Sequence, residues 1–152
     1  MRTMKLLKLL SIIVAIEISA WAADPFVGEW NLSIAKSDFG SGPKAKSGTT
    51  KYTTVGGVLE YSSQTDYGAG KVTRLRSRVL FDGAEHKARL DGRPMSFINK
   101  KLDEKAYEVV FSARETGKEL QRFRFTVSPA NTLTFLSTKG GETVSKLVYE
   151  KK

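Results

Sequence analysis

The stretch Ala106–Val127, AYEVVFSARETGKELQRFRFTV, reads as two β-strands joined by a turn. Tyr107, Val109 and Phe111 alternate with Glu108, Val110 and Ser112, and Phe123, Phe125 and Val127 alternate with Arg122, Arg124 and Thr126. An extended chain sends successive side chains to opposite faces, so the rings share one face and the arginines the other. Thr116-Gly117 lies between the runs, where glycine accepts the positive φ of a tight turn. A hairpin apolar on one face and charged on the other buries only one side.

The same grammar extends in both directions. Gly56-Gly57, Gly68-Ala69-Gly70, Asp82-Gly83, Asp91-Gly92, Pro129-Ala130-Asn131 and Gly140-Gly141 mark further turns. They delimit ten predicted strands, at about 28–34, 49–55, 58–66, 71–81, 85–90, 95–102, 106–114, 118–127, 132–138 and 143–150. After Gly28 no window carries a sustained helical stripe. Hairpin-linked neighbours form a meander, and a twisted meander of this size closes because closure removes its exposed edges. The expected fold is therefore all-β: an up-and-down antiparallel barrel of about eight to ten strands. Trp30, Leu32 and Ile34 are expected to face inward, as are Leu75, Ser77, Val79 and Phe81. Lys36–Ser47 (KSDFGSGPKAKS), the one long irregular stretch, is expected to cross a barrel mouth as a loop.

Residues 1–22 stand apart from this pattern. Arg2, Lys5 and Lys8 precede the apolar run Leu9–Ile16, which is too short to span a bilayer, and Ala20-Trp21-Ala22 offers a small-x-small cleavage pattern. The segment reads as a signal peptide, with retention as an anchor as the rival. The barrel domain is then residues 23–152, located in the periplasm or secreted. The 152-residue chain has 25 Lys+Arg, 16 Asp+Glu, one His and no Cys, a formal charge of +9. Removing three cations and one anion leaves +9 − 3 + 1 = +7. Without cysteine there is no thiolate nucleophile, Fe–S cluster or disulfide, and a single His86 cannot build a multi-histidine metal centre. Stability has to come from packing alone.

The candidate site is the inner face. Trp30, Tyr52, Tyr61, Phe97, Tyr107, Phe111, Phe123, Phe125, Phe135 and Tyr149 could line an apolar cavity, and the tyrosines would add polar handles. The same rings also suit a filled core. Arg74, Arg76 and Arg78 form a stripe opposite the apolar residues of their strand, which places them outside. Arg78 and Arg124 are the candidates for an inward anchor to an anionic headgroup. His86 sits between Glu85 and Lys87 at a turn, and Asp66, Asp82, Asp91 and Asp103 lie at turns where carboxylates bond local amides. No catalytic residue, metal site or cofactor is expected. The positive charges are scattered and no RNP-type motif is present, so nucleic acid is not an expected partner. The expected partners are a small hydrophobic or amphipathic molecule and an anionic envelope surface, for a monomer without a transmembrane segment.

Pro25-Phe26-Val27-Gly28-Glu29-Trp30-Asn31-Leu32 carries an F-x-G-x-W pattern that resembles the opening of the calycin barrels, the lipocalins and fatty-acid-binding proteins. Ala35-Lys36-Ser37-Asp38-Phe39 and Gly42-Pro43-Lys44 look like small exported bacterial lipocalin-like proteins, and Leu147–Lys151 is similar to the last strand of fatty-acid-binding proteins. The resemblance implies that Trp30 closes the barrel base and that a basic residue of the last strand packs over it, with Lys146 the nearest candidate. It also brings departures. The Gly- and Pro-rich segment 36–47 leaves no room for the helical lid of fatty-acid-binding proteins, and Leu147 stands where their carboxylate-binding arginine would be, with Tyr149 retained. The implied function is binding of a small hydrophobic or amphipathic ligand inside an exported barrel. The alternative is a filled-barrel scaffold that docks its basic surface on anionic envelope components.

Overall fold

The computed structural model describes residues 23–90 and 92–152; the expected signal peptide lies outside them. It is all-β, and no helix occurs among the described residues. The ten strands are β1 (Gly28–Leu32), β2 (Ser47–Val55), β3 (Val58–Asp66), β4 (Val72–Val79), β5 (His86–Leu90), β6 (Arg93–Asp103), β7 (Ala106–Ala113), β8 (Glu119–Ser128), β9 (Thr132–Lys139) and β10 (Glu142–Lys151). Each predicted strand is present, with ends shifted by no more than two residues.

They form one antiparallel sheet in the order β4-β3-β2-β1-β10-β9-β8-β7-β6-β5. Every neighbour is a sequence neighbour except β1 and β10, whose pairing (Trp30 opposite Lys151, Leu32 opposite Tyr149) joins the two ends of the meander. The sheet is strongly curled. β2 and β7 are five strands apart in that order, which in a flat sheet would be about 24 Å, yet the Tyr52 and Tyr107 hydroxyls are 2.8 Å apart. The ends of the sheet, β4 and β5, are not hydrogen-bonded to each other, so the barrel keeps a seam. Asn99 Nδ2 on β6 donates to the Leu80 carbonyl (3.1 Å) and partly bridges it.

One expectation about faces is corrected, and two inward-facing residues are left uncovered. Ile34 does not point inward: β1 stops at Leu32 and the chain turns, leaving Ile34 41% exposed. The turn is held by Ser37 Oγ donating to the Ser33 carbonyl, while Val148 N donates to Ser37 Oγ. Leu75 and Phe81 lie on the inner face of the β4 side, yet are 60% and 41% exposed, because β4 has no strand across the seam to cover it.

The segment 36–47 is irregular, as expected, but it completes the wall instead of spanning a mouth. Asp38 pairs with Lys146 through both backbone bonds (2.7 and 2.8 Å), and Lys46 N donates to the Asp66 carbonyl (2.7 Å). It thus fills the gap left between β10 and β2 where β1 ends. Gly40 is required there: its φ is +58° and a Cβ would lie 2.0 Å from the Val144 carbonyl oxygen.

Candidate ligand-binding site

The end of the barrel that holds the start of β1 and the end of β10 is plugged. Trp30 is fully buried and its Nε1 donates to the Phe26 carbonyl (2.9 Å). The Phe26 ring packs on Tyr52 (5.5 Å between centroids) and Tyr107 (5.1 Å), and Tyr107 stacks on Phe125 at 4.5 Å with 10° between planes. Lys151, not Lys146, lies over the Trp30 ring, 5.2 Å from its centroid. Antiparallel register decides this: Trp30 is opposite Lys151, whereas Lys146 sits five residues away beside Asp38.

Above this floor is a cavity of about 150 Å³. Five of the ten candidate aromatic residues line it: Tyr52, Tyr61, Phe125, Phe135 and Tyr149. Trp30 and Tyr107 form the floor beneath. Phe97, Phe111 and Phe123 do not line the cavity, but continue its ring surface toward the other end. Phe135 stacks on Phe123 (5.1 Å), Phe123 meets Phe111 edge-on (5.5 Å), and Phe111 meets Phe97 (5.5 Å), all four half-buried. The row ends at His86, 5.4 Å from Phe97.

Sequence reading missed the rest of the wall: Thr50, Ser63, Thr65, Leu133 and Leu147. Strand parity could have found them. Thr50 is two residues from Tyr52, Ser63 two from Tyr61, Leu133 two from Phe135 and Leu147 two from Tyr149, so each shares its neighbour's face.

No charged side chain lines this cavity. Burial raises the hydroxyl pKa of Tyr52, Tyr61 and Tyr107, and lifts Tyr149 to about 12, so all four stay neutral. Tyr52 and Tyr107 satisfy each other. Thr50 is 2% exposed and its Oγ1 has no hydrogen-bond partner. The Tyr61 and Tyr149 hydroxyls lie near enough to Thr50 for it to offset part of their shifts, without reaching bonding geometry on Oγ1.

The expectation of an inward arginine is corrected for both candidates. Arg78 lies on the outer face beside Glu60 (3.7 Å), opposite in parity to the inward Ser77 and Val79. Arg124 lies outside between the inward Phe123 and Phe125, donating to Glu108 Oε1 from Nε (2.9 Å) and Nη2 (2.5 Å). Arg122 donates to the other oxygen of Glu108 (2.9 Å) and to both oxygens of Glu119. Glu108 is 3% exposed although it faces outward, because these guanidinium groups cover it.

No family model matches the chain, and no curated protein sequence does. Solved structures do. Secretory abundant heat soluble protein 4 from Ramazzottius varieornatus superposes with a TM-score of 0.61 at 19% identity, over 88% of this chain and 99% of that one. A Schistosoma mansoni fatty acid binding protein in complex with arachidonic acid gives 0.64 at 18% identity, over 84% and 96%. As-p18, an extracellular fatty acid binding protein, gives 0.59 at 15%, over 85% and 97%. The likeness is one of fold. The curled ten-stranded meander shares the barrel fold of these proteins, and identities this low carry nothing residue by residue.

Proposed function

We propose that this chain is a non-catalytic binding protein that takes a small hydrophobic or amphipathic molecule into its barrel. One observation carries the reading: a cavity of about 150 Å³, walled by rings and leucines, opens onto a row of half-buried phenylalanines. A contiguous half-exposed apolar surface beside a cavity is a feature of ligand-binding grooves. The fold is shared with proteins described as binding fatty acids, which supports the reading. Because the floor is plugged, only part of a long ligand fits within the cavity, and the remainder lies along Phe123, Phe111 and Phe97.

Residues 1–22 are proposed to direct export and to be removed, leaving a monomeric barrel outside the cytoplasm. Among the described residues no helix is long and apolar enough to cross a membrane. Native mass spectrometry of protein purified from its own host tests both parts: a co-purifying hydrophobic molecule and a mass beginning near Ala23 are expected. A chain that emerges empty and takes up no added apolar probe would overturn the binding reading.

A second reading has its own observation. The outer face of β1–β4 carries a groove of about 610 Å³ edged by Lys51, Arg74, Arg76 and Lys152, with Glu29 facing both lysines. We propose that it docks on anionic envelope components. Binding to anionic vesicles should weaken with salt and with Arg74→Glu and Arg76→Glu together; binding indifferent to both would refute it.

A further inference from the structure

We propose that the end of the ligand buried in this cavity is uncharged and bears an oxygen function, an alcohol, phenol or carbonyl, that bonds Thr50; this rests on the binding reading above. The cavity wall offers five hydroxyl-bearing side chains besides Tyr52 and not one charge. The arginines of the adjoining strands all take the opposite parity, so Arg74, Arg76 and Arg78 cannot reach inside without a register slip that would turn every neighbour over. A carboxylate in this space would have no cation, and an ammonium no carboxylate, so either would have to neutralise before entering.

Thr50 supplies the positive argument. Its Oγ1 is buried in the cavity wall and makes no hydrogen bond, the nearby Tyr61 and Tyr149 hydroxyls falling short of bonding geometry, and a buried hydroxyl left unpaired is costly. A hydroxyl both donates and accepts, so a neutral oxygen of either kind completes it. Directly across from Thr50 on β3 is Ser63, which lines the same space. Around this polar spot the wall is Leu133, Leu147, Phe125 and Phe135. The volume of about 150 Å³ matches a cavity that holds one benzene-sized ring (roughly 150 Å³). The pocket therefore suits a single ring or a short alkyl segment with its oxygen at the inner end.

The opposite orientation is the alternative that the test has to separate. There an apolar tail enters and a charged head stays at the rim, near the exposed Lys46 that packs over Gly68. Titrations with 1-decanol, decanoate and decylammonium at about pH 8 keep the two ions charged. Decanol should bind at least about tenfold more tightly than either ion. Thr50→Val should weaken decanol about five- to tenfold relative to toluene, which makes no hydrogen bond there. If Thr50→Val does not fold, Ser63→Ala takes its place with the same expectation. Decanoate binding as tightly as decanol, or decanol indifferent to both substitutions, would overturn the proposal while leaving hydrophobic binding intact. Failure of every probe, toluene included, would instead overturn the binding reading itself.

Discussion

The two ends of the barrel interior are built from the same residue types and behave differently. At the plugged end Phe26, Tyr52, Tyr107 and Trp30 are all buried and interlocked, and the paired Tyr52 and Tyr107 hydroxyls cross the barrel. At the other end Phe97, Phe111, Phe123 and Phe135 stand in a row, half-exposed, each touching ring neighbours on its own sheet. The difference is what lies opposite. The plugged end has Phe26 inserted from outside the meander, whereas the open end faces the seam, where Leu75 on the inner face of β4 is left to solvent. Rings with partners on both sides make a core; rings with partners on one side leave a half-covered apolar surface.

The sharpest way to break this contrast is Trp30→Ala. Loss of a fully buried indole should cost about 3–5 kcal/mol in urea unfolding, and a small effect would mean that the plug is not the stabilising end. Alkaline pH probes the same end without mutation. The interior tyrosines have folded pKa values above the unfolded value near 10. The folded state therefore holds protons that the unfolded chain releases, and stability is complete below about pH 10 and falls as pH rises toward the folded values. The expected slope is about 1.4 kcal/mol per pH unit for each such tyrosine. Denaturant midpoints measured from neutral pH upward check it; a flat profile through pH 11 to about 12 would contradict the buried assignment.

Glu108→Ala compares the inside with the outside. Removing the carboxylate that Arg122 and Arg124 share should cost about 2 kcal/mol without altering affinity for an apolar probe. Altered affinity would place this cluster in the ligand site. Phe123→Ala, at the open end, should cost only about 1–2 kcal/mol because its ring is already half in water, yet weaken binding of a long apolar probe several-fold. Leu75→Ser should be the mildest, within about 0.5 kcal/mol by thermal or chemical unfolding. A larger loss would show that β4 is covered in solution.

Much of this was legible from the chain. Alternation in Ala106–Val127 placed the rings and arginines on their true faces, and turn residues bounded all ten strands, because the period of a strand and the φ demands of a turn are local. Lys146 was the wrong partner for Trp30 because register between chain ends follows from a pairing formed across the whole meander. Arg78 and Arg124 read as inward anchors from the sequence because both sit beside apolar residues, a one-dimensional cue that parity overrules. Thr50 and Ser63 were missed because a hydroxyl on an inner face looks ordinary until its partners are known to be absent.

By itself the sequence determined the elements, their order, the inner and outer faces, and the absence of any disulfide to hold them. Only the tertiary structure decided where the interior is filled and where it is open. Filling depends on what stands across the barrel from each side chain, and that distance is set by the curl of the sheet and the gap between β4 and β5 rather than by any local run of residues.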